Sequence, residues 1–184
     1  MINEEFASLL AAAQSGSEPA FSWLWRDANP ALLRYLRVIT PGAEEDIAAE
    51  TWVQVVRGLR SFRGDQQAWR AWLFTTARRR AIDLARQRSR RPEAPLDGVA
   101  MAQLPCAEDS ADMALEHLST AAAIALVSEL PPLQAEVVLL RVVAGLDTES
   151  VARLLRKSPG AVRVAAHRGL RRLAQLTADA GVTL

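Results

Sequence analysis

A chain of 184 residues, half of them apolar and dominated by Ala and Leu, can bury the core of one ordinary domain or of two small helical ones. A single cysteine, Cys106, excludes an intramolecular disulfide and a thiolate zinc cluster. The net charge of +1 hides alternating blocks: −5 over residues 1–56 (eight acids, three arginines), +9 over 57–91 (eleven arginines, two aspartates), −8 over 92–140 (eight acids) and +6 over 141–172 (eight basic residues, two acids). Two basic blocks separated by an acidic one point to a polyanionic partner rather than to an evenly solvated surface.

In chain order, residues 4–14 read as a short helix broken at "QSGSEP". A second helix runs from Glu18 to about Asp27, and Pro30 suits the first position of a third that ends at "TPG", residues 40–42. Residues 44–60 form the next, with acids in its first turn and Ile47, Val53, Val56 and Leu59 as the expected buried face. "FRGDQQ" is a loop by its Gly-Asp signal. From about Ala68 to Arg88 a long amphipathic helix is expected, with Trp69, Trp72, Leu73, Ala77, Ala81 and Leu84 on one arc. Arg78, Arg79 and Arg86 lie opposite, with Asp83 at the edge; Arg80 falls inside the apolar arc and needs a partner. Phe62, in the loop, is better placed than the two tryptophans to meet an unstacked base.

The chain is therefore all-α, with a first domain over residues 1–91. Residues 92–111, with three prolines, four acids and no period, form a flexible linker. A second domain over 112–176 is followed by a small tail, 177–184. Its first helix runs to Leu130 and its second from about Leu133 to Ala144. Within "GLDTESVARLLRKSPGAVRVAAHRGLRRL", Asp147 is placed to cap one short helix and Ser158 another, with Pro159 at the first position. Val162, Ala166, Leu170 and Leu173 give the second of these an inward stripe, leaving Arg163, Val164, His167, Arg168 and Arg171 outside. A short helix, a tight connection and a second helix with a basic outer face fit a DNA-binding helix-turn-helix. Lys157, Ser158 and the first-turn N–H groups, Gly160 among them, would hold phosphates, while Arg163 and His167 would reach base edges.

With these motifs assembled, the chain resembles the small extracytoplasmic-function (ECF) sigma factors of RNA polymerase. "GAEEDIAAETWVQVVRGLRSFRGDQQAWRAWLFTTARRRAIDLARQR" is similar to the family's second region, and "ELPPLQAEVVLLRVVAGLDTESVARLLRKSPGAVRVAAHRGLRRL" to its fourth. The resemblance implies that the helix with Glu45, Asp46, Glu50, Thr51 and Trp52 docks on core polymerase. It implies that the loop with Phe62, Arg63, Gly64 and Asp65 receives a flipped base of the −10 element. Arg78, Arg79, Asp83 and Arg86 would follow the −10 strand, and the C-terminal helix would take the −35 element. An anti-sigma partner is implied too. Arg79 departs from a frequent Asn, Arg80 from an apolar residue, Ala49 from a Gln and Arg156 from a Gly in the turn. The free chain is expected to bind DNA weakly, because its two basic faces are not held at promoter spacing.

Other classes fit less well. A polymerase-independent helix-turn-helix regulator would need a dimerisation heptad and a palindromic site, and no heptad is evident. Two histidines without a nucleophile elbow, a phosphate loop or a metal-ligand cluster give no basis for an enzyme, a cofactor or a metal site. No apolar stretch approaches the ~18 residues of a spanning helix, and "MINEEFASLL" is acidic where a secretory leader is basic. A cytoplasmic protein without membrane insertion is expected.

Overall fold

A computed structural model describes residues 2–90 and 121–179, and every regular element among them is helical. The predicted linker, Cys106 and the helix start near Asp112 lie outside the described residues. The first unit is α1 (Ile2–Gln14), α2 (Glu18–Ile39), α3 (Glu44–Leu59) and α4 (Gln66–Arg90). The second comprises α5 (residues 121–128), α6 (Pro132–Val138) with a π-helical turn (Leu139–Val143), α7 (Thr148–Leu155) and α8 (Pro159–Asp179).

Three expectations are corrected. Pro30 does not start a helix; it sits inside a continuous α2. Proline removes the hydrogen bond that the Arg26 carbonyl would receive, but Arg26 and Pro30 are both exposed, so water can take its place. The apolar row Leu24, Ala28, Ala31, Leu32 and Tyr35 meanwhile packs without interruption on the other side. On α3, Val53 and Val56 are half exposed, and the buried face is Ile47, Ala48, Thr51, Trp52, Val55 and Leu59. Thr51 satisfies its hydroxyl on the Ile47 carbonyl at 2.7 Å, and the Trp52 indole N–H donates to Asn29 Oδ1 at 2.9 Å. With their polar atoms bonded, the cost of burying them is offset. On α8, Leu170 is 49 % exposed, while Val162, Ala165 and Gly169 face inward. Gly169 is needed there: a Cβ would come within 2.8 Å of Val138 Cγ2, so its missing side chain lets α6 and α8 cross closely.

The core of the first unit is Leu24, Leu32, Tyr35 and Leu36 of α2, Val55 of α3, and Trp69, Leu73, Phe74 and Ala77 of α4. It continues into Val137, Leu140, Leu146 and Val151 of the second unit, so the units pack against each other. α4 begins two residues earlier than expected because Asp65 caps it, accepting the Ala68 N–H at 2.8 Å. α8 extends to Asp179, past the predicted start of a tail.

Candidate nucleic-acid interface

The helix-turn-helix is built as the capping residues predict. Asp147 Oδ1 accepts the Ser150 N–H at 2.6 Å and starts α7; Ser158 Oγ accepts the Ala161 N–H at 3.2 Å and starts α8. The Ser150 N–H holds the Asp147 carboxyl below its ordinary range. A lowered carboxylate pKa means that the stabilisation is present at neutral pH and is lost as pH falls through that lowered value. Asp147→Ala is expected to cost about 0.5–2 kcal/mol, measured by chemical denaturation at pH 7, with the difference shrinking in acid.

Between the two helices, Arg156 adopts φ 54° and ψ 47°, the left-handed conformation that glycine accepts without strain. Its N–H still closes the helix end on the Ala152 and Arg153 carbonyls. So the turn forms despite the missing glycine, and the arginine carries the cost. Arg156→Gly is expected to stabilise the chain by about 1 kcal/mol, seen as a higher denaturation midpoint.

α8 presents Arg163, Val164, His167, Arg168 and Arg171 to solvent, with Lys157, Ser158 and Gly160 exposed at its start. None of these cations makes an ion pair with a described residue. The outer face is thus charged and free to meet phosphates.

In the first unit, the arginines of α4 divide into different jobs. Arg79 and Arg86 are exposed, and Arg86 pairs with Asp83 at 3.8 Å within the helix. Arg78 is held instead by Glu136 of the second unit, at 2.7 Å. Arg80 is explained: it reaches across to α3, 3.7 Å from the Glu50 carboxylate and 3.4 Å from Gln54 Oε1. It therefore ties α4 to α3 at the rim of the core.

The loop before α4 is more committed than a base-receiving loop needs to be. Phe62 stacks on Trp72, with centroids 5.0 Å apart and planes 17° apart, and meets Trp69 edge-on at 5.7 Å. It is part-buried, an aromatic wall and not a free stacking platform. Asp65 is spent on capping α4, while Arg63 binds the Arg60 and Phe62 carbonyls at 2.9 and 2.7 Å. Gly64 has φ 156°, and a Cβ there would lie 2.7 Å from that of Ala68. Phe62, Arg63 and Trp72, with Gln54, Thr76 and Arg79, line an open hollow of about 800 Å³, whereas Gly64 and Asp65 are not in its wall.

On α3, Glu45, Asp46 and Glu50 are exposed, but Thr51 and Trp52 are buried and offer nothing to a partner's surface. Val53 and Val56, which the sequence pattern assigned to the core, are outside in their place.

Sequence reasoning missed Glu136, Tyr35 and Arg70, which join the two units. The Tyr35 hydroxyl and the Arg78 guanidinium both donate to Glu136, at 2.9 and 2.7 Å. Arg70 donates to Asp27 at 2.8 Å and to the Ala144 carbonyl at 3.3 Å. Burial, reinforced by the Glu136 charge, raises the Tyr35 phenol well above its ordinary value. Burial opposes the charge on Arg78, but its hydrogen bond to Glu136 and that carboxylate's charge outweigh it, so its pKa rises. These partners are 58 and 101 residues apart, and no local period encodes them.

Known proteins match the chain along most of its length. The model of sigma-70 region 2 matches residues 24–91, and that of sigma-70, region 4, matches residues 120–173. The chain is 33% identical over 177 residues to the ECF RNA polymerase sigma factor BldN of Streptomyces coelicolor, covering 93% of this chain and 65% of that protein, so it spans about two thirds of that relative. It is 33% identical over 180 residues to the ECF RNA polymerase sigma factor ShbA of Streptomyces griseus, covering 92% and 93%. ECF RNA polymerase sigma factor SigD of Mycobacterium tuberculosis is 30% identical over 192 residues, covering 98% and 88%. Among solved structures, CnrH in complex with the cytosolic domain of CnrY shares the fold with a TM-score of 0.61 at 22% identity, covering 95% of this chain and 97% of that one. The sigma factor RpoE of Bartonella quintana, solved with the anti-sigma factor NepR, matches at the same score and identity over 85% and 95%. With both regions present in order and full-length relatives at this identity, the chain belongs to the ECF sigma factors of the sigma-70 family.

Proposed function

We propose that this sigma factor works by dividing promoter recognition between its two units while bound to core RNA polymerase. The domain division is residues 1–91, a linker over 92–111, a second domain over 112–176 and a tail over 177–184. The α8 face with Lys157, Ser158, Gly160, Arg163, Val164, His167, Arg168 and Arg171 takes duplex −35 DNA. The α4 face with Arg78, Arg79, Asp83 and Arg86 follows the −10 strand. The loop with Phe62, Arg63, Gly64 and Asp65 receives an unstacked base, in the hollow that Phe62 and Arg63 line, with Phe62 as its fixed wall. Taking a base out of the stack costs a few kcal/mol, so capture needs polymerase and sigma acting together. The role is non-catalytic, and the site of action is the cytoplasm.

Docking on polymerase falls to the outer surface of α3. Glu45, Asp46 and Glu50 remain in that surface, with Val53 and Val56 replacing Thr51 and Trp52 as its apolar centre. Apolar side chains rimmed by charge are the composition of a protein interface. By likeness to the neighbour solved with an anti-sigma factor, a partner of that kind is proposed to restrain the chain.

One observation supports this reading: exposed arginines on α4 (Arg79, Arg86) and on α8 (Arg163, Arg168, Arg171) lie in two helical units whose sequences match sigma-70 region 2 and sigma-70, region 4, in order. The test is a holoenzyme reconstituted on promoter DNA carrying a fluorescent adenine analogue in the −10 element. Fluorescence should rise only when core polymerase and this chain are both present. Tight binding of duplex by the chain alone, with no rise on adding polymerase, would favour an independent regulator instead.

A further inference from the structure

Five arginines among the described residues are partly withdrawn from water: Arg34, Arg37, Arg70, Arg78 and Arg80. Four of them hold a carboxylate, that of Glu44, Asp27, Glu136 and Glu50 in turn, between 2.7 and 4.0 Å away. Arg34 pairs with no acid among the described residues, and its Nε is buried without an acceptor. A cation withdrawn from water needs a counter-charge and hydrogen-bond acceptors. The fold supplies the other four and leaves this one short.

Arg34 also lines a hollow of about 340 Å³ where α2 meets α5 and the π-helical turn. The rest of the lining is apolar: Ala123, Ile124 and Val127 of α5, with Leu139, Val142 and Val143 of the turn. Val142 is 63% exposed, so the hollow opens to solvent beside an uncovered apolar side chain. A π-helical wall is itself a geometry that recurs at functional sites.

Apolar walls with one polar group to fix orientation are the composition of a small-molecule site, and such sites span about 300–1,000 Å³. The six apolar residues here fall well short of the roughly 20–30 that a partner protein's docking surface engages. A single guanidinium matches a single negative charge, and its planar fork takes a carboxylate bidentately. None of these residues belongs to the faces assigned above to DNA or polymerase. We propose that the hollow is a binding site for a small amphiphilic carboxylate, with its head group on Arg34 and its alkyl chain against Ile124, Val127 and Val142.

The probe is octanoate, titrated by calorimetry into the full chain, with hexanoate, octan-1-ol and octylamine as comparisons. One octanoate per chain is expected to bind saturably. Each CH₂ between hexanoate and octanoate should tighten binding by up to about fourfold, the value of a buried methylene. Octan-1-ol should bind at least about tenfold more weakly, since it lacks charge-assisted hydrogen bonds, and octylamine should not bind. Arg34→Gln should weaken octanoate by a similar factor and leave octan-1-ol unchanged. Val142→Asp, at an exposed position, should abolish octanoate binding while the helical circular dichroism stays that of the parent chain. It keeps the test decisive should Arg34→Gln fail to fold. No saturable binding overturns the proposal. So does equal binding of octanoate and octan-1-ol, which would leave an apolar hollow without an anion site. Uptake of several octanoates, indifferent to Val142→Asp, would be detergent-like adsorption and overturns it too. Concentration-dependent dimerisation that is lost in Val142→Asp would give the hollow to a second copy of the chain, and overturns it as well.

Discussion

Trp69→Ala is expected to destabilise the first unit by about 3–5 kcal/mol, the largest effect of any single truncation considered. Trp69 is 1% exposed and meets both Phe62 and Trp72, so its removal opens the centre of an aromatic cluster. A loss of that size is a large fraction of the 5–15 kcal/mol that typically holds a domain folded. Trp69→Phe should behave differently. The indole N–H is buried and finds no acceptor among the described residues, so phenylalanine removes an unsatisfied donor along with some packing. Its cost should stay under about 1.5 kcal/mol. Urea denaturation followed by helical circular dichroism separates the two variants. Equal losses would mean that refilling the void with a phenyl ring recovers nothing, which contradicts a cavity as the origin of the alanine cost.

Arg163→Glu is expected to abolish initiation at promoters that depend on a −35 element. Arg163 is exposed on the outer face of α8 and makes no ion pair with a described residue, so stability should be unchanged. Losing one arginine–base contact costs about 1–3 kcal/mol, and a carboxylate adds repulsion from the phosphates. Together these give a loss of at least about 100-fold in transcription. Run-off assays on one promoter with the −35 element intact and scrambled would check it. An unchanged ratio between the two templates would remove Arg163 from the reading face.

Much of the fold was legible because local chemistry fixed it. Asp147 and Ser158 announce helix starts, and each is found bonded to the N–H three residues on. The basic run on α4 could be separated from its Trp- and Leu-lined side by period alone, and Trp69, Leu73 and Ala77 are buried as that period requires. Legibility failed where a partner elsewhere in the chain decided the outcome. Thr51 and Trp52 look like surface until Ile47 and Asn29 take up their polar atoms. Pro30 looks like a helix start until the packing on the opposite face of α2 carries the helix through it. Phe62 looks like a free stacking residue until Trp72 lies flat against it. Arg80, unassigned by pattern, finds Glu50 and Gln54 on a neighbouring helix. Glu136 gave no signal at all, since one acid on an amphipathic helix is ordinary surface until its partners are known.

The central claim is that the chain confers promoter choice on polymerase instead of regulating on its own. Purified core polymerase, with and without the chain, should be run on a pool of genomic DNA fragments and the transcript 5′ ends mapped. New start sites sharing two upstream elements at fixed spacing, seen only with the chain and lost with Arg163→Glu, are the predicted result. No new start sites, together with tight binding of duplex DNA by the chain alone, would contradict it.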